Sequence, residues 1–289
     1  MSAALVPHLG VAPSRPIGLI AAAGRFPLYF AEKAHAAGLP LVIVGLRGLA
    51  DPSLARCAWR FHGSGPAQLG KMIRLFSRDG ASRLVMAGKV YKADLMYHPW
   101  KVLAFAPDWR AFRMWFFSRR SDNRDHSVLL TIIDEFAKDG LTFASALDLC
   151  PELLVKPGVL TQRRPSTAEY ADIAFGWDLA KKISALDIGQ SIIVKDKNVL
   201  AVEAIEGTDR AILRAGEYAK GGFTVVKLAK QGHDMRFDVP TEGQTTIEIM
   251  AKAGGRVLAL EADKTILLDH EQTVALADRL GISIVAVSN

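Results

Sequence analysis

The residues best suited to phosphate chemistry lie in the run KLAKQGHDMRFDVPT, which begins at Lys227. If this run is an extended strand, alternate side chains share a face, so Asp234, Arg236 and Asp238 project together. Carboxylates beside a guanidinium can hold a divalent cation and a phosphate oxygen together. Lys227 and Lys230 add positive charge upstream. A half-buried strand with a solvated, ion-paired face would show the same pattern, so both interpretations stay open.

A second acidic group, EAIEGTD from Glu203, lies where the strand predicted over Val199–Ala204 leads into a helix. Thr208 or Asp209 is placed to cap the helix that follows, because short polar side chains bond the free N–H groups of a helix start. Glu203 and Glu206 stand at the carboxyl end of the predicted strand, where α/β proteins usually bind ligands. Oxygen ligands of this kind suit Mg²⁺ better than zinc. Capping and metal binding are both consistent with the pattern.

A third candidate is the turn AAGRFP between the apolar run at residues 17–22 and the helix predicted to follow it. The free N–H groups at such a helix start suit a phosphate or pyrophosphate, which Gly24 and Arg25 would face. The turn has one glycine in place of the G-x-G-x-x-G pattern, so the dinucleotide fingerprint is absent. An ordinary strand-to-helix turn fits equally well.

Aromatic residues are concentrated between Tyr91 and Phe117, which hold nine of the 23 in the chain, and two arginines follow at residues 119–120. Aromatic side chains beside basic ones favour a membrane–water interface, and they could also line a tunnel for fatty acyl chains. The spacing of Trp109, Phe112 and Phe116 is equally typical of a helix stripe that faces a core.

The elements that must position these residues form two α/β halves. Apolar runs alternate with amphipathic segments after a flexible N-terminus (residues 1–15), which predicts a doubly wound, Rossmann-like domain over residues 16–150. The Pro- and Gly-containing segment 151–167 is interpreted as a linker. Residues 168–289 predict a catalytic α/β domain with a mixed sheet, because the turn at residues 196–198 indicates a hairpin. A strand over Met235–Val239 and a strand pair around residues 262–264 are also expected.

Composition narrows the class of protein. Half of the residues are apolar and the net charge is +6, which is typical of a folded protein and gives no indication of nucleic-acid binding. The two cysteines lack metal-ligand spacing, which favours a reducing compartment. No uncharged stretch exceeds 14 residues, and the N-terminus lacks the pattern of a secretory signal. A cytoplasmic protein is expected.

Three stretches resemble the UDP-2,3-diacylglucosamine pyrophosphatases of the LpxI type, which act in lipid A biosynthesis. They are GVLT with RPS between residues 158 and 166, ALDIGQSIIVKDKNVLAVEAIEGTD from Ala185, and VVKLAKQGHDMRFDVPT from Val225. The runs QLGK from Gln68 and MAGK, which ends at Lys89, are similar to the family too. The first turn departs from the family, because it is poorer in glycine.

The resemblance implies an enzyme of two domains that uses Mg²⁺ to split UDP-2,3-diacylglucosamine into UMP and 2,3-diacylglucosamine 1-phosphate (lipid X). It implies a substrate that lies between the domains and peripheral attachment to the cytoplasmic face of the inner membrane. The catalytic residues would be Asp234, Asp238 and Arg236. The metal ligands would be Asp234, Asp238, Glu206 and Asp209. The substrate-binding residues would be Gly24, Arg25, Lys89, Arg164, Thr208, Lys227, Lys230 and Gln231.

The mechanism inferred is in-line attack by water, with the two aspartates holding Mg²⁺ or orienting the water and the nearby cations stabilising the phosphoryl charge. Two other classes stay open. A nicotinamide-dependent oxidoreductase could be built on the first half, although the glycine-poor turn argues against it. A non-catalytic lipid- or nucleotide-binding protein is the other rival. The sequence also leaves a homodimer open.

Overall fold

The structure of the protein, a computed structural model, describes residues 15–90, 107–117, 125–230, 234, 236 and 239–288. The chain divides into two compact units. The first extends to Pro151 and also includes Asp234 and Arg236. The second begins at Glu152 and extends to the end of the chain.

The first unit contains a five-stranded sheet in the order β3-β2-β1-β4-β5, and all of its strands are parallel. Its strands are β1 (Ile17–Ala21), β2 (Leu41–Leu46), β3 (Arg60–Ser64), β4 (Arg83–Ala87) and β5 (Thr142–Phe143). Its helices are α1 (Phe26–Ala36), α2 (Leu69–Arg78), α3 (Trp109–Phe117) and α4 (Asp125–Ala137). The parallel sheet confirms the α/β prediction for this half.

Apolar patterning explains how these elements pack. Strands β1 and β2 are buried along their whole length, as expected of continuous apolar runs inside a parallel sheet. Helix α2 buries Leu69, Met72, Ile73 and Phe76, a set with the spacing of one helix face. These side chains join the core above the sheet, together with residues of α3 and α4.

The second unit contains a six-stranded mixed sheet in the order β6-β13-β11-β9-β7-β8, and a small parallel pair, β10 with β12. Its strands are β6 (Gly158–Val159), β7 (Ser191–Lys195), β8 (Asn198–Val202), β9 (Phe223–Lys227), β10 (Thr241–Glu242), β11 (Gly255–Glu261), β12 (Ile266–Leu267) and β13 (Ser283–Val287). Its helices are α5 (Thr167–Ala185), α6 (Thr208–Ala219), α7 (Gln244–Ala253) and α8 (His270–Arg279). The mixed sheet confirms the prediction for this half of the chain.

The hairpin prediction is confirmed, because β7 and β8 pair antiparallel around Asp196 and Lys197, both of which have positive φ as a two-residue hairpin turn requires. The strand pair expected around residues 262–264 is wrong. Strand β11 pairs with β9 and β13, whereas β12 belongs to the small sheet with β10.

Two further expectations need correction. From Glu152 on, the segment interpreted as a linker belongs to the second unit, where its β6 pairs with β13 and Ser166 caps α5 through a capping box with Glu169. The strand expected over Met235–Val239 is interrupted, because Arg236 lies in a turn. Residues 235, 237 and 238 lie outside the described residues.

The core-facing position left open for the aromatic residues of α3 is wrong for Trp109 and Phe112, and the side chain of Phe116 lies outside the described residues. Trp109 is 72% exposed and Phe112 is 39% exposed, whereas Ala111 and Met114 are buried. The two exposed rings stack with centroids 5.6 Å apart. The aromatic residues of segment 91–106 lie outside the described residues. Within the part of the chain that is described, no helix has the length and apolar character to cross a bilayer.

Candidate functional site

Strand direction collects polar residues at one edge of the six-stranded sheet. Strand β7 is antiparallel to both β8 and β9, so β8 and β9 run in the same direction as β11. Glu203 directly follows β8, Lys227 ends β9 and Glu261 ends β11. All three side chains are buried. This is the carboxyl edge, where open α/β sheets usually bind ligands.

Lys227 forms a buried ion pair with Glu242 of β10. Its ammonium also donates to Thr208 Oγ1 at 3.0 Å. Burial by itself would lower the pKa of Lys227, but the carboxylates of Glu242 and then Glu203 outweigh it, so the pKa is raised. Lys227 therefore stays protonated, and the carboxylate of Glu242 neutralises a large part of its positive charge.

Thr208 connects this ion pair to Glu203. Its hydroxyl accepts from Lys227 and donates to Glu203 Oε1 at 3.0 Å, with Ser191 Oγ 3.4 Å away. The N-cap position left open for Thr208 or Asp209 is wrong, because the N-cap residue of α6 is Gly207. Thr208 is the first helical residue, and its hydroxyl points into the cluster.

Close backbone packing fixes the position of Glu203. Its N–H donates to the Ser191 carbonyl at 3.0 Å. A Cβ built on Gly189 would stand 2.0 Å from the Glu203 carbonyl oxygen, so only glycine fits there. The backbone of residues 189–191, which leads into β7, thereby positions the side chain of Glu203, which follows β8.

The other members of the predicted acidic group have different environments. Glu206 pairs with Arg214 at 2.7 Å, and its other oxygen accepts from the N–H of Ala204. Asp209 is half-buried, and its charge adds to the carboxylates that raise the pKa of Lys227. Among the residues that the structure describes, no group of three or more histidine, cysteine or carboxylate side chains is arranged to hold a metal.

Glu261 and Asp187 hold the start of the segment that carries the predicted catalytic residues. Glu261 accepts from the Ala229 N–H at 2.9 Å and from Lys264 at 2.8 Å. Lys230 pairs with Asp187 at 3.1 Å. The segment therefore leaves β9 along a backbone fixed by a buried carboxylate.

Asp234 and Arg236 form a local ion pair that belongs to the first unit. Arg236 Nε donates to Asp234 Oδ2 at 2.8 Å, and the backbone N–H of Arg236 donates to Asp234 Oδ1 at 2.9 Å. The hydrogen bond to Asp234 is the main cause of a raised pKa of Arg236. The shared strand face predicted for this pair is replaced by a turn. Asp238 and Gln231 lie outside the described residues.

The carboxyl edge of the first sheet is built from main chain. The turns after β1 and β4 pair with each other, since the Lys89 N–H donates to the Ala23 carbonyl at 2.8 Å and Ala23 returns the bond at 3.2 Å. A Cβ on Gly88 would stand 2.7 Å from the Ala23 oxygen, and Gly88 also has a φ of +100°. Gly24 and Arg25 are exposed at the start of α1.

Sequence reasoning placed Lys227, Thr208 and Glu203 near a site, and the structure brings these three together. It missed Glu242, Glu261 and Gly189. Glu261 ends the largely apolar run RVLALE, and a charged residue in that position could have identified it as a candidate from the sequence. No sequence signal indicates that Glu242 pairs with Lys227. Arg164, which was predicted to bind the substrate, is exposed.

Comparison with known proteins covers both units. The LpxI N-terminal domain family matches residues 16–153, and the LpxI C-terminal domain family matches residues 156–285. UDP-2,3-diacylglucosamine pyrophosphatase LpxI of Caulobacter vibrioides is 32% identical over 94% of this chain and 98% of its own. The bifunctional purine biosynthesis protein PurH of Deinococcus radiodurans is 37% identical over 26% of this chain and 14% of its own.

Two solved structures show weak overall likeness. The biotin carboxylase domain of a single-chain bacterial carboxylase is 15% identical with a TM-score of 0.25, and the biotin carboxylase subunit of pyruvate carboxylase is 11% identical with a TM-score of 0.26. They cover 66% and 71% of this chain, which spans only 38% and 41% of theirs.

Proposed function

The chain belongs to the LpxI family, and from that premise we propose that it hydrolyses the pyrophosphate of UDP-2,3-diacylglucosamine. The products would be UMP and 2,3-diacylglucosamine 1-phosphate. The observation that carries the proposal is the similarity to the Caulobacter vibrioides pyrophosphatase, which extends over nearly the full length of both chains. A shared single domain would not support the same activity, whereas a match in both units does.

In the proposed reaction the Asp234–Arg236 pair would supply two of the required groups. Hydrolysis of a phosphoanhydride needs an oriented water and positive charge beside the phosphoryl oxygens. Arg236 stays protonated beside Asp234, and the 2.8 Å bond fixes the two side chains relative to each other. In the proposed reaction Asp234 orients the attacking water and Arg236 contacts a phosphoryl oxygen. Asp238 would assist from the same segment.

Mg²⁺ remains part of the proposal on the strength of the family resemblance. The described carboxylates do not form a preassembled site, because Asp234 is bonded to Arg236 and Glu206 is bonded to Arg214. Mg²⁺ commonly takes only one or two carboxylates and fills its shell with water and substrate phosphates. No catalytic step is therefore assigned to the ion, and its role is tested by chelation.

Peripheral attachment to the cytoplasmic face of the inner membrane is supported by α3. Trp109 and Phe112 are exposed and stacked, and Arg113 on the same helix is also exposed. Aromatic and basic side chains together favour an anionic membrane surface. We expect co-sedimentation with vesicles that contain about one-fifth anionic lipid to fall severalfold in W109S/F112S. Unchanged co-sedimentation would contradict attachment through α3.

The activity is tested by UMP release from UDP-2,3-diacylglucosamine with Mg²⁺ and then with excess EDTA. Asp234→Asn should lower kcat by at least about 100-fold, because the amide no longer orients the attacking water although it has nearly the same size and shape as the carboxylate. Asp178→Asn, an exposed aspartate on α5, is the matched control and should retain activity.

The outcomes separate the proposed enzyme from its rivals. UMP release by the wild type supports the proposed activity. Its loss with EDTA supports the role of the metal, and its loss in Asp234→Asn supports the role of the catalytic aspartate. Binding of UDP-2,3-diacylglucosamine without any UMP release would instead indicate a binding protein. Reaction in H₂¹⁸O adds the site of attack, because the label enters the product that carries the attacked phosphorus.

A further inference from the structure

One carboxylate oxygen in the second unit lacks the hydrogen bond that its burial calls for. Glu203 is 7% exposed, and its Oε1 accepts from Thr208 at 3.0 Å. Its Oε2 is buried and has no hydrogen-bond partner among the described residues. A buried acceptor without a hydrogen bond destabilises the folded state, and native proteins keep few of them. A buried acceptor retained at the ligand-binding edge of a sheet indicates a donor that arrives with a ligand.

The charges around Glu203 decide which kind of ligand fits. The ammonium of Lys227 is already paired with Glu242, so Glu203 adds negative charge to a neutral pair. A phosphate oxygen placed against Glu203 would be repelled, which argues against the phosphate-binding role predicted for Lys227. The cluster thus selects against anions.

A cation is also a poor fit. Thr208 already engages Glu203 Oε1, which leaves Oε2 as the one available oxygen, and that oxygen is buried. Mg²⁺ usually keeps several waters in its shell, and a buried oxygen offers no room for them. The remaining class is a neutral hydrogen-bond donor.

We propose that Glu203 Oε2 accepts a hydrogen bond from an uncharged O–H or N–H group of the bound nucleotide sugar. This proposal rests on the proposed function for the identity of the ligand. Two parts of that ligand carry such donors: the uridine, through its ribose hydroxyls and ring N–H, and the glucosamine, through its hydroxyls and amide N–H. We infer that the ligand approaches from the side of Thr208 and Asp209, because these residues are half-buried whereas Lys227 and Glu242 are buried.

Glu203→Gln tests this contact. The glutamine keeps its oxygen toward the Thr208 hydroxyl and presents an N–H₂ group where the ligand brings its own donor, so two donors would face each other. Calorimetric titration with UMP and, separately, with 2,3-diacylglucosamine 1-phosphate tells which half is recognised. We expect about 10- to 100-fold weaker binding of one of the two. Glu217→Gln, an exposed glutamate on α6, is the control and should bind both as the wild type does.

Stability separates recognition from a structural role. Glu203→Gln loses no hydrogen bond of Oε2 but removes one charge that helps to keep Lys227 protonated, so we expect its melting temperature to stay close to that of the wild type. A lowered melting temperature with unchanged affinity for both products would overturn the proposal. Wild-type binding of Mg²⁺ alone that Glu203→Gln abolishes would overturn it in favour of a metal site.

The proposed function can fail separately. If the wild type releases UMP and Glu203→Gln binds both products normally, only the role of Glu203 is refuted. If the wild type binds neither product and releases no UMP, the proposed function and this contact are both refuted.

Discussion

The carboxyl edges of the two sheets are built from different parts of the chain. In the first unit the edge consists of paired main-chain turns, in which Gly88 packs on the Ala23 carbonyl. In the second unit it consists of buried ionisable side chains, namely Glu203, Lys227 and Glu261, with Glu242 from the small sheet. A main-chain edge depends on backbone conformation, whereas a side-chain edge depends on charge balance. The two should therefore respond to different substitutions.

The largest effect is expected from breaking the Lys227–Glu242 pair. Lys227→Met leaves the Glu242 carboxylate buried without its ammonium, which should cost about 3–5 kcal/mol of unfolding free energy. The double variant K227M/E242Q removes both charges and should recover a large part of that loss. Urea unfolding followed by hydrogen exchange of second-unit peptides measures this. A double variant as unstable as the single one would show that charge pairing is not what stabilises this edge.

Glycine substitutions should separate the two edges at a smaller cost. Gly189→Ala puts a Cβ 2.0 Å from the Glu203 oxygen, and Gly88→Ala puts one 2.7 Å from the Ala23 oxygen at a positive φ. Each should cost about 1–3 kcal/mol through displaced backbone. Hydrogen exchange should rise in second-unit peptides for Gly189→Ala and in first-unit peptides for Gly88→Ala.

Gly63→Ala is the control for both glycine variants. Its nearest neighbours are side-chain atoms of Arg47 at 3.7 Å or more, so a methyl group fits in ordinary contact. Equal exchange in both units for either Gly88→Ala or Gly189→Ala would contradict the assignment of the two turns to separate edges.

Local patterns were enough to predict much of this fold. The apolar run Leu41–Val44 predicted most of the buried strand β2, and the turn at residues 196–198 predicted the hairpin, because both depend on neighbours in sequence. The run around Arg236 alternates like a strand, but the Asp234 side chain bonds the backbone two residues ahead and favours a turn. The pairing of β12 with β10 was not predictable, since a two-residue strand carries almost no period.

Only part of the site, too, was predictable from the sequence. Charged residues at strand ends can be recognised from sequence, which placed Glu203 and Lys227 at one edge. Their partners cannot be recognised, because Glu242 reaches Lys227 through a separate sheet and Gly189 reaches Glu203 through the packing of two strands. Such contacts depend on tertiary structure, so the sequence pattern indicated that chemistry was present without showing which charges were neutralised.

Alkaline pH should give the smallest effect and still distinguish the two units. The folded-state pKa of Lys227 is raised, so its contribution to stability is complete below the unfolded value of about 10.4 and is lost as pH rises through the folded value. In the first unit, burial lowers the pKa of Lys71, so its deprotonation does not weaken that unit in the same range. Hydrogen exchange between pH 10 and 12, corrected for intrinsic rates, should show second-unit peptides losing protection first. The difference between the units should disappear in K227M/E242Q, because that variant has no buried ammonium to titrate. If first-unit peptides open first, or if the double variant keeps the difference, Lys227 is not the source of the alkaline sensitivity.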